Sequence, residues 1–241
     1  MSEFDKGSDP GSGAGSTRSV DRALRVLIAV LEPDAQDTSL SGIARATELS
    51  PSTASRLLAT LSTHGLVSRD PDGRYRTGVR MKQIAAESLR DDPLYEASGP
   101  HLAQLAAETG ETASLGIAAE PAAVLYLRQV ASDRQVQTKV WTGRTIPREG
   151  TALGAALDGL AEPGTAHVSR RAGSDVVAVA SAVYGPYGEV IGAISVNSPE
   201  FRTTDDEIAS FRAAVSKRAV LLSRAMGAPP TLLTRAATGT A

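Results

Sequence analysis

The chain lacks cysteine and has few histidines, and these absences exclude several kinds of site. No cysteine occurs among the 241 residues, which excludes a disulfide scaffold, a thiolate zinc site and a cysteine nucleophile. His64, His101 and His167 are scattered, and none has a partner at the spacing of metal ligands or of a catalytic triad. The sequence therefore predicts a protein that is not an enzyme and that holds no metal or cofactor.

Long apolar runs are also missing. No stretch approaches the roughly 18 apolar residues that a membrane-spanning helix needs. The first ten residues, MSEFDKGSDP, contain no apolar segment of the kind found in secretory signals. We therefore expect a soluble, cytoplasmic protein with no membrane partner, and the length is sufficient for one large domain or two modest ones.

Positive charge is concentrated in one short segment. Residues 40–82 contain seven basic and three acidic side chains, whereas residues 91–241 contain 13 basic and 16 acidic ones. A basic segment inside an otherwise acidic protein indicates a polyanionic partner for that segment alone.

The spacing of apolar residues near the N-terminus predicts three helices. Residues 1–18 are rich in Gly, Ser and Asp, so we expect a disordered tail there. A first helix should start at Ser19 and stop before Pro33. Its apolar residues recur at helical spacing and are expected to share one inward face: Val20, Ala23, Leu24, Leu27, Ile28 and Leu31.

A short second helix, a tight turn and a third helix follow. Ser50 is expected to cap the third helix, with Pro51 in its first turn, and Gly65 should end it. Two short strands around the turn sequence Asp-Pro-Asp-Gly then predict a wing. This order of elements predicts a winged helix-turn-helix domain over residues 19–78.

The outer face of the third helix carries small hydroxyls and an arginine, which suits entry into the major groove of DNA. Arginine can donate two hydrogen bonds to a guanine edge, and arginines on a wing can contact phosphates. The predicted partner is a double-stranded DNA operator. The residues expected to bind it are Ser41, Ser50, Ser52, Thr53, Ser55, Arg56, Arg69, Arg74, Tyr75 and Arg76.

The rest of the chain predicts an α+β domain. We expect a linker helix over 79–92, a domain over 93–227 and a loose tail over 228–241. Strands are expected at 112–118, 123–130, 136–141, 175–184 and 189–198, and Thr204 to Glu207 read as a capping box that opens a last helix. Helices that flank an antiparallel sheet make an α+β fold.

Five separated blocks of the sequence resemble the IclR family of bacterial transcription regulators. SVDRALRVL and IARATELSPSTASRLLATLSTHGLVSRD resemble the family's DNA-binding domain. ETASLGI, GRTIPREGTALGAAL and VAVASAVYGPYGEVIGAISVNSP resemble its effector domain. The blocks occur in the family's order across residues 19–227.

The resemblance implies a dimeric or tetrameric DNA-binding regulator, most often a repressor, whose GAF-like C-terminal domain binds a small-molecule effector. The implied effector site comprises Thr151, Ala152, Leu153, Ala178, Ser195 and Asn197. This chain departs from the family pattern at Glu48, which replaces a turn glycine, and at Glu149, Ala155 and Ala178. It also has a shortened segment between Gly159 and Gly173. Because no Lys, His or Cys remains at the matched positions, an effector of this domain should be apolar or aromatic rather than a small keto-acid. The alternative that the shortened domain binds no effector and serves only to dimerise stays open.

Two other classes of function stay open at this point. An enzyme could pair Asp205, Asp206 and Glu207 for acid–base chemistry, although helix capping explains these carboxylates more simply. An α+β binding or adaptor protein could carry a helix-turn-helix that does not read DNA. A mobility shift on the protein's own promoter region separates the regulator from both alternatives.

Overall fold

The computed structural model describes residues 14–32, 37–120, 122–159, 163–170 and 175–233. The chain divides into two compact units after Ser88. Among the helices within these ranges, none is long and apolar enough to cross a membrane.

The first unit is a winged helix-turn-helix, as the sequence predicts. Its elements are α1 (Ala14–Leu31), α2 (Leu40–Ala46), α3 (Pro51–Thr63), β1 (Val67–Arg69), β2 (Tyr75–Thr77) and α4 (Val79–Arg90). Strands β1 and β2 pair antiparallel, with Ser68 opposite Arg76. A small core joins the three helices to the wing through Ile43, Leu58, Leu61 and Val67.

Helix α1 differs from the prediction in its start and in its faces. It begins at Ala14 rather than Ser19, because nothing between these positions breaks a helix beyond one Gly in the first turn. Its buried side is formed by Val26, Leu27 and Val30. The expected inward stripe is therefore wrong in part, since three of its members point to solvent at 56%, 52% and 60% exposure: Val20, Leu24 and Ile28.

Helices α2 and α3 end in the same way. The amide N–H of Leu66 donates to the carbonyl of Leu61 and that of Gly65 to Ser62, which is the Schellman pattern with a left-handed residue after the cap. Helix α2 repeats this pattern with Glu48 in the left-handed position at φ 57°. The turn therefore keeps its geometry even though its left-handed residue is not glycine.

The second unit is an α+β fold built on one antiparallel sheet. Its elements are α5 (Pro93–Thr109), β3 (Thr112–Ala119), β4 (Ala123–Val130), β5 (Thr145–Pro147), α6 (Ala152–Leu157), β6 (His167–Arg170), β7 (Val176–Tyr184), β8 (Val190–Pro199), a 3-10 turn (Glu200–Arg202) and α7 (Asp205–Ala225). The strand order is β5-β4-β3-β8-β7-β6.

The sheet packs different helices on its two faces. Leu102 of α5 and Val215 of α7 meet Val179 and Ile194 on one face. Helix α6 covers the other face, where Leu153 packs near Val124 and Ala180. The capping box predicted at the start of α7 is present, because Thr204 and Glu207 exchange hydrogen bonds.

The prediction of a strand over residues 136–141 is wrong. This stretch lies in a loop, residues 131–144, which we call the cavity loop. Val136 and Val140 are 55% and 43% exposed, so the alternation of its side chains creates no buried face. The outer strands of the sheet are instead the short β5 and β6, which the sequence analysis missed.

Candidate DNA-binding surface and ligand cavity

Hydroxyl groups cluster at the start of α3. The side chain of Ser50 caps the helix by accepting a hydrogen bond from the Thr53 amide at 3.3 Å. Its Oγ also lies 3.1 Å from Ser52 Oγ and 2.8 Å from Thr53 Oγ1. Ser50 and Ser52 are exposed, so this hydroxyl cluster presents hydrogen-bonding groups at the narrow end of the helix.

Arg56 lies one turn further along α3 and is exposed. Among the residues that the structure describes, no carboxylate or carbonyl pairs with its guanidinium. Ser55 beside it is half-buried. An exposed arginine without an intramolecular partner keeps all its donors for an outside acceptor.

Asp70 organises the wing turn. Its Oδ1 accepts from the Arg74 amide at 2.9 Å, and its Oδ2 accepts from Arg76 Nε at 2.6 Å. These bonds, the one from the Arg76 side chain first, hold the pKa of Asp70 below its ordinary value. Gly73 completes the turn at φ 79°. The sequence predicts Asp70 only as a turn residue, whereas in the structure it also partly neutralises Arg76.

The other wing residues are not equivalent. Arg69 donates from Nε to the carbonyl of Gly73 at 3.1 Å, and its guanidinium lies 5.6 Å from the centre of the Tyr75 ring. Tyr75 is only 8% exposed and belongs to the core of the first unit. Its expected role in DNA binding is therefore corrected to a packing role that supports Arg69.

Two further predicted residues lie near the wing and α2. The Arg74 side chain is exposed. The pKa of Asp37 is lowered mainly by hydrogen bonds from Ser39 and more weakly by the charges of Arg45 and Arg74. Ser41 is exposed, with its Oγ 3.0 Å from Ser39 Oγ. The predicted set thus leaves Arg56 and Arg74 as the cations least engaged within the protein.

A cavity of about 580 Å³ opens on the α6 face of the second unit. It lies between β4, the N-terminal end of α6, the ends of β7 and β8, and the cavity loop. Its walls are formed by Tyr126, Gln129, Thr138, Lys139, Trp141, Thr145, Ile146, Pro147, Thr151, Ala152, Leu153, Ser169, Val176, Ala178 and Asn197.

Five of the six predicted effector residues line this cavity: Thr151, Ala152, Leu153, Ala178 and Asn197. The hydroxyl of Thr151 is already occupied, because it caps α6 by accepting from the Gly154 amide at 3.0 Å and it donates to the carbonyl of Arg148 at 3.0 Å. Its methyl group and its position, rather than a free hydroxyl, are what Thr151 contributes to the wall.

Ser195 does not line the cavity. It is fully buried in β8, and its Oγ has no hydrogen-bond partner among the described residues. The prediction failed because Ser195 pairs with Ser114 of β3 and Ala180 of β7 in the middle of the sheet, away from the end where the cavity opens. Glu149, which differs from the family pattern, is exposed and is not part of the wall either.

Two buried polar side chains, Tyr126 and Asn197, line the cavity and are hydrogen-bonded to each other. Burial raises the pKa of the Tyr126 hydroxyl, and a hydrogen bond from Asn197 opposes that rise. The Asn197 amide also donates to Ser114 Oγ at 3.3 Å. A neutral phenol held at the base of a mostly apolar cavity can donate to, or accept from, a polar atom of a ligand.

The cavity loop supplies part of the cavity wall, which the sequence does not predict. Thr138, Lys139 and Trp141 line the cavity from this loop, and Gln129 lies behind them on β4. Lys139 places a cation at the cavity that the family motif did not predict. The only available signal was a lysine two residues before the chain's single tryptophan, in a stretch whose alternating pattern predicts a strand.

The described part of the chain contains no cluster of side chains suited to bind a metal ion. Within it, no three His, Asp or Glu side chains are grouped closely enough to hold an ion.

A winged helix-turn-helix with an exposed reading helix, followed by an α+β unit with a cavity, defines the class of ligand-responsive transcription regulators.

Comparison with known proteins specifies the family. The IclR helix-turn-helix domain matches residues 19–71, and the bacterial transcriptional regulator IclR C-terminal domain matches residues 86–163 and 155–224. The chain therefore belongs to the IclR family of transcriptional regulators, as its sequence motifs predict.

Two curated relatives align over nearly their whole length. The chain is 26% identical to the HTH-type transcriptional regulator XynR of Escherichia coli K12, over 88% of this chain and 98% of that protein. It is 25% identical to the HTH-type transcriptional repressor AllR of Klebsiella pneumoniae, over 95% and 99%. The crystal structure of an IclR homolog complexed with 4-hydroxybenzoate, from Microbacterium hydrocarbonoxydans, shares the fold with a TM-score of 0.70 at 20% identity, over 86% and 99%.

Proposed function

We propose that this protein is a repressor that binds a DNA operator as a dimer and is released from it by a small aromatic carboxylate. The observation that supports this most strongly is Arg56, which is exposed beside the hydroxyl cluster at the start of α3 and whose guanidinium has no partner within the described part of the chain. A family relative of similar length, AllR, is a repressor. The proposal goes beyond the family assignment in naming the sign of regulation, the DNA-contacting residues and the ligand class.

The proposed DNA contacts divide into two kinds. Arg56 and the exposed hydroxyls of Ser50 and Ser52 read base edges, because a slim helix end with donors fits the major groove. Arg69 and Arg74 contact phosphates from the wing and supply affinity without sequence information. Arg76 contributes less, since Asp70 already offsets its charge.

The exposed stripe on α1 supports the proposed dimer. Val20, Leu24 and Ile28 recur every four residues and are each more than half exposed. Apolar residues aligned on one exposed helix face favour burial against a second copy, and two-fold symmetry matches a palindromic operator. We expect Leu24→Glu to yield a monomer by light scattering, while Arg22→Glu on the same helix retains the dimer. A dimeric Leu24→Glu protein would place the interface elsewhere.

The proposed ligand combines an apolar or aromatic body with one negative charge. The aromatic rings of Tyr126 and Trp141 and the apolar side chains of Ile146 and Leu153 line the cavity. Lys139 provides a cation at the cavity, which extends the expectation of a purely apolar effector. The related structure from Microbacterium hydrocarbonoxydans contains 4-hydroxybenzoate, a molecule of this class.

The test starts from the purified protein and random DNA fragments. Sequencing of the bound fragments should yield a palindrome with half-sites about one helical turn, or a multiple of it, apart. Titration with 4-hydroxybenzoate should then release the protein from that DNA, and pyruvate should not. Recovery of no common sequence would contradict the DNA-binding proposal. Release by pyruvate alone would contradict the ligand class, and tighter DNA binding with ligand would contradict repression by release.

A further inference from the structure

We propose that Glu111 is a positioning residue that holds the cavity loop in place and thereby sets ligand affinity, although it does not itself line the cavity. This proposal rests on the ligand role proposed above for the cavity. Its central observation is a buried carboxylate that is joined, through Arg202, to the backbone of the cavity loop.

Glu111 precedes β3 and is only 1% exposed. Its Oε1 accepts from Arg202 Nη2 at 2.9 Å and lies 3.1 Å from Arg134 Nη1, and its Oε2 accepts from Arg202 Nη2 at 2.8 Å. Two guanidinium groups therefore satisfy one buried carboxylate. A buried charge is tolerated only with such partners, which fixes the positions of both arginines relative to β3.

The same arginines attach the cavity loop to this carboxylate. Arg202 uses its remaining Nη1 to donate to the carbonyl oxygen of Val136 at 2.6 Å. Arg134 is itself part of the loop. The loop is also tied at its start, where Ser132 Oγ donates to the carbonyl of Gly110 at 2.6 Å.

The loop needs these polar anchors because apolar packing does not hold it. Val136 and Val140 are about half exposed. Residues 136–139 also line a second hollow of about 540 Å³, and Thr138 and Lys139 line both spaces. Among the described residues, only Arg202 donates a hydrogen bond to the Val136 carbonyl, so removal of the Glu111 charge should loosen the loop at this point.

Beyond Val136 the loop reaches the cavity. Thr138 Oγ1 donates to the carbonyl of Asn197 at 3.3 Å, and the amide of Trp141 donates to the side-chain oxygen of Gln129. Lys139 lies between the two anchored residues along the chain, and Trp141 is itself one of them. Lys139 and Trp141 follow Val136 within five residues, so the bond at the Val136 carbonyl and these two bonds together set where the cation and the aromatic ring of the cavity lie.

Trp141 provides a direct readout, since it is the only tryptophan of the chain. Glu111→Gln keeps the shape of the side chain but removes its charge, and its amide group would face a guanidinium. We expect a red-shifted Trp141 emission and about two-fold stronger quenching by acrylamide, because a loop without its anchor opens locally. The matched control is Glu108→Gln, which breaks the ion pair between Glu108 and Arg218 on α5 and α7 and should leave the emission unchanged.

A second variant separates positioning from loss of folding. Arg202→Lys retains a positive charge for Glu111 but lacks the fork that reaches both the carboxylate and the Val136 carbonyl. It should reproduce the Trp141 changes with native circular dichroism even if Glu111→Gln unfolds. Wild-type Trp141 emission and quenching in the folded Arg202→Lys and Glu111→Gln proteins would overturn the proposal. It would also be overturned if Glu108→Gln changed the Trp141 emission and quenching as much as Glu111→Gln does.

The ligand measurement uses 4-hydroxybenzoate as the probe. We expect Glu111→Gln to weaken its binding about ten-fold by calorimetry, because a misplaced supporting shell loosens a site without removing its contacts. Wild-type protein that binds no 4-hydroxybenzoate would count against the proposed function, while the Trp141 measurements would still decide whether Glu111 positions the loop. Unchanged affinity in a variant with altered emission would refute the effect on binding.

Discussion

Replacement of Glu48 by glycine should stabilise the first unit. Glu48 occupies the left-handed position of the turn between α2 and α3, at φ 57°. A side chain with a Cβ costs about 1–2 kcal/mol in this conformation. Its carboxylate is exposed and has no partner among the described residues, so the substitution removes no contact.

The expected gain is smaller than the strain, because glycine also loses more freedom on folding. That loss is about 0.5–1 kcal/mol. The net effect of Glu48→Gly is therefore a stabilisation of about 0.5–1 kcal/mol. For a unit of this size such a change raises the melting temperature by about 2–8 °C.

The assay is calorimetry of the full chain, with hydrogen exchange of the α3 amides to assign the transition to the first unit. Gly65→Ala provides the reciprocal control, since Gly65 holds the same position after α3 at φ 69°. A Cβ there would also lie 3.1 Å from the Cβ of Arg80, so this variant should be destabilised. A lower melting temperature for Glu48→Gly would refute the strain argument, because it would mean that Glu48 makes a stabilising contact.

Two further predictions concern salt and pH. Arg74→Ala should reduce the slope of log DNA affinity against log salt by about 0.9 per subunit, without changing the preferred sequence; an unchanged slope would remove the wing from the phosphates. Burial lowers the pKa values of both His101 and His167 below 6.5. The nearby charge of Arg218 lowers the His101 pKa further, and that of Arg212 does the same for His167. Their neutral forms therefore stabilise the second unit above pH 6.5, and this stability is lost as the pH falls through the lowered values. The urea midpoint should drop on acidification, and less so in a His101→Gln, His167→Gln double variant.

Local signals in the sequence were sufficient to predict the DNA-binding unit. Ser50, Pro51 and Gly65 each report a helix end through their own chemistry, and the wing turn follows from Asp-Pro-Asp-Gly. The burial of Tyr75 and the pairing of Asp70 with Arg76 depend on contacts between strands. Such contacts cannot be read from the spacing of residues along one strand.

The residues that line the cavity were predicted only where they belong to a motif that resembles the family. Thr151, Leu153 and Asn197 came from the family resemblance, whereas Lys139 and Trp141 reach the cavity from a loop that is fixed by distant groups. Residues 136–141 alternate like a strand, but polar bonds to Arg202 and Gln129 decide their path. Long-range polar anchoring leaves no periodic pattern in the sequence.

The central claim is that α3 reads a specific operator through Arg56. Its most direct test measures the affinity of the Arg56→Ala protein for the selected operator and for a scrambled duplex at one salt concentration. An arginine contact to a guanine edge contributes about 1–3 kcal/mol of discrimination, which is about 5- to 150-fold for each subunit. Binding of the dimer to the operator should therefore weaken by at least this factor, while binding to the scrambled duplex changes little. An equal loss on both duplexes would contradict the claim, because it would make Arg56 a phosphate contact and leave base reading to other residues.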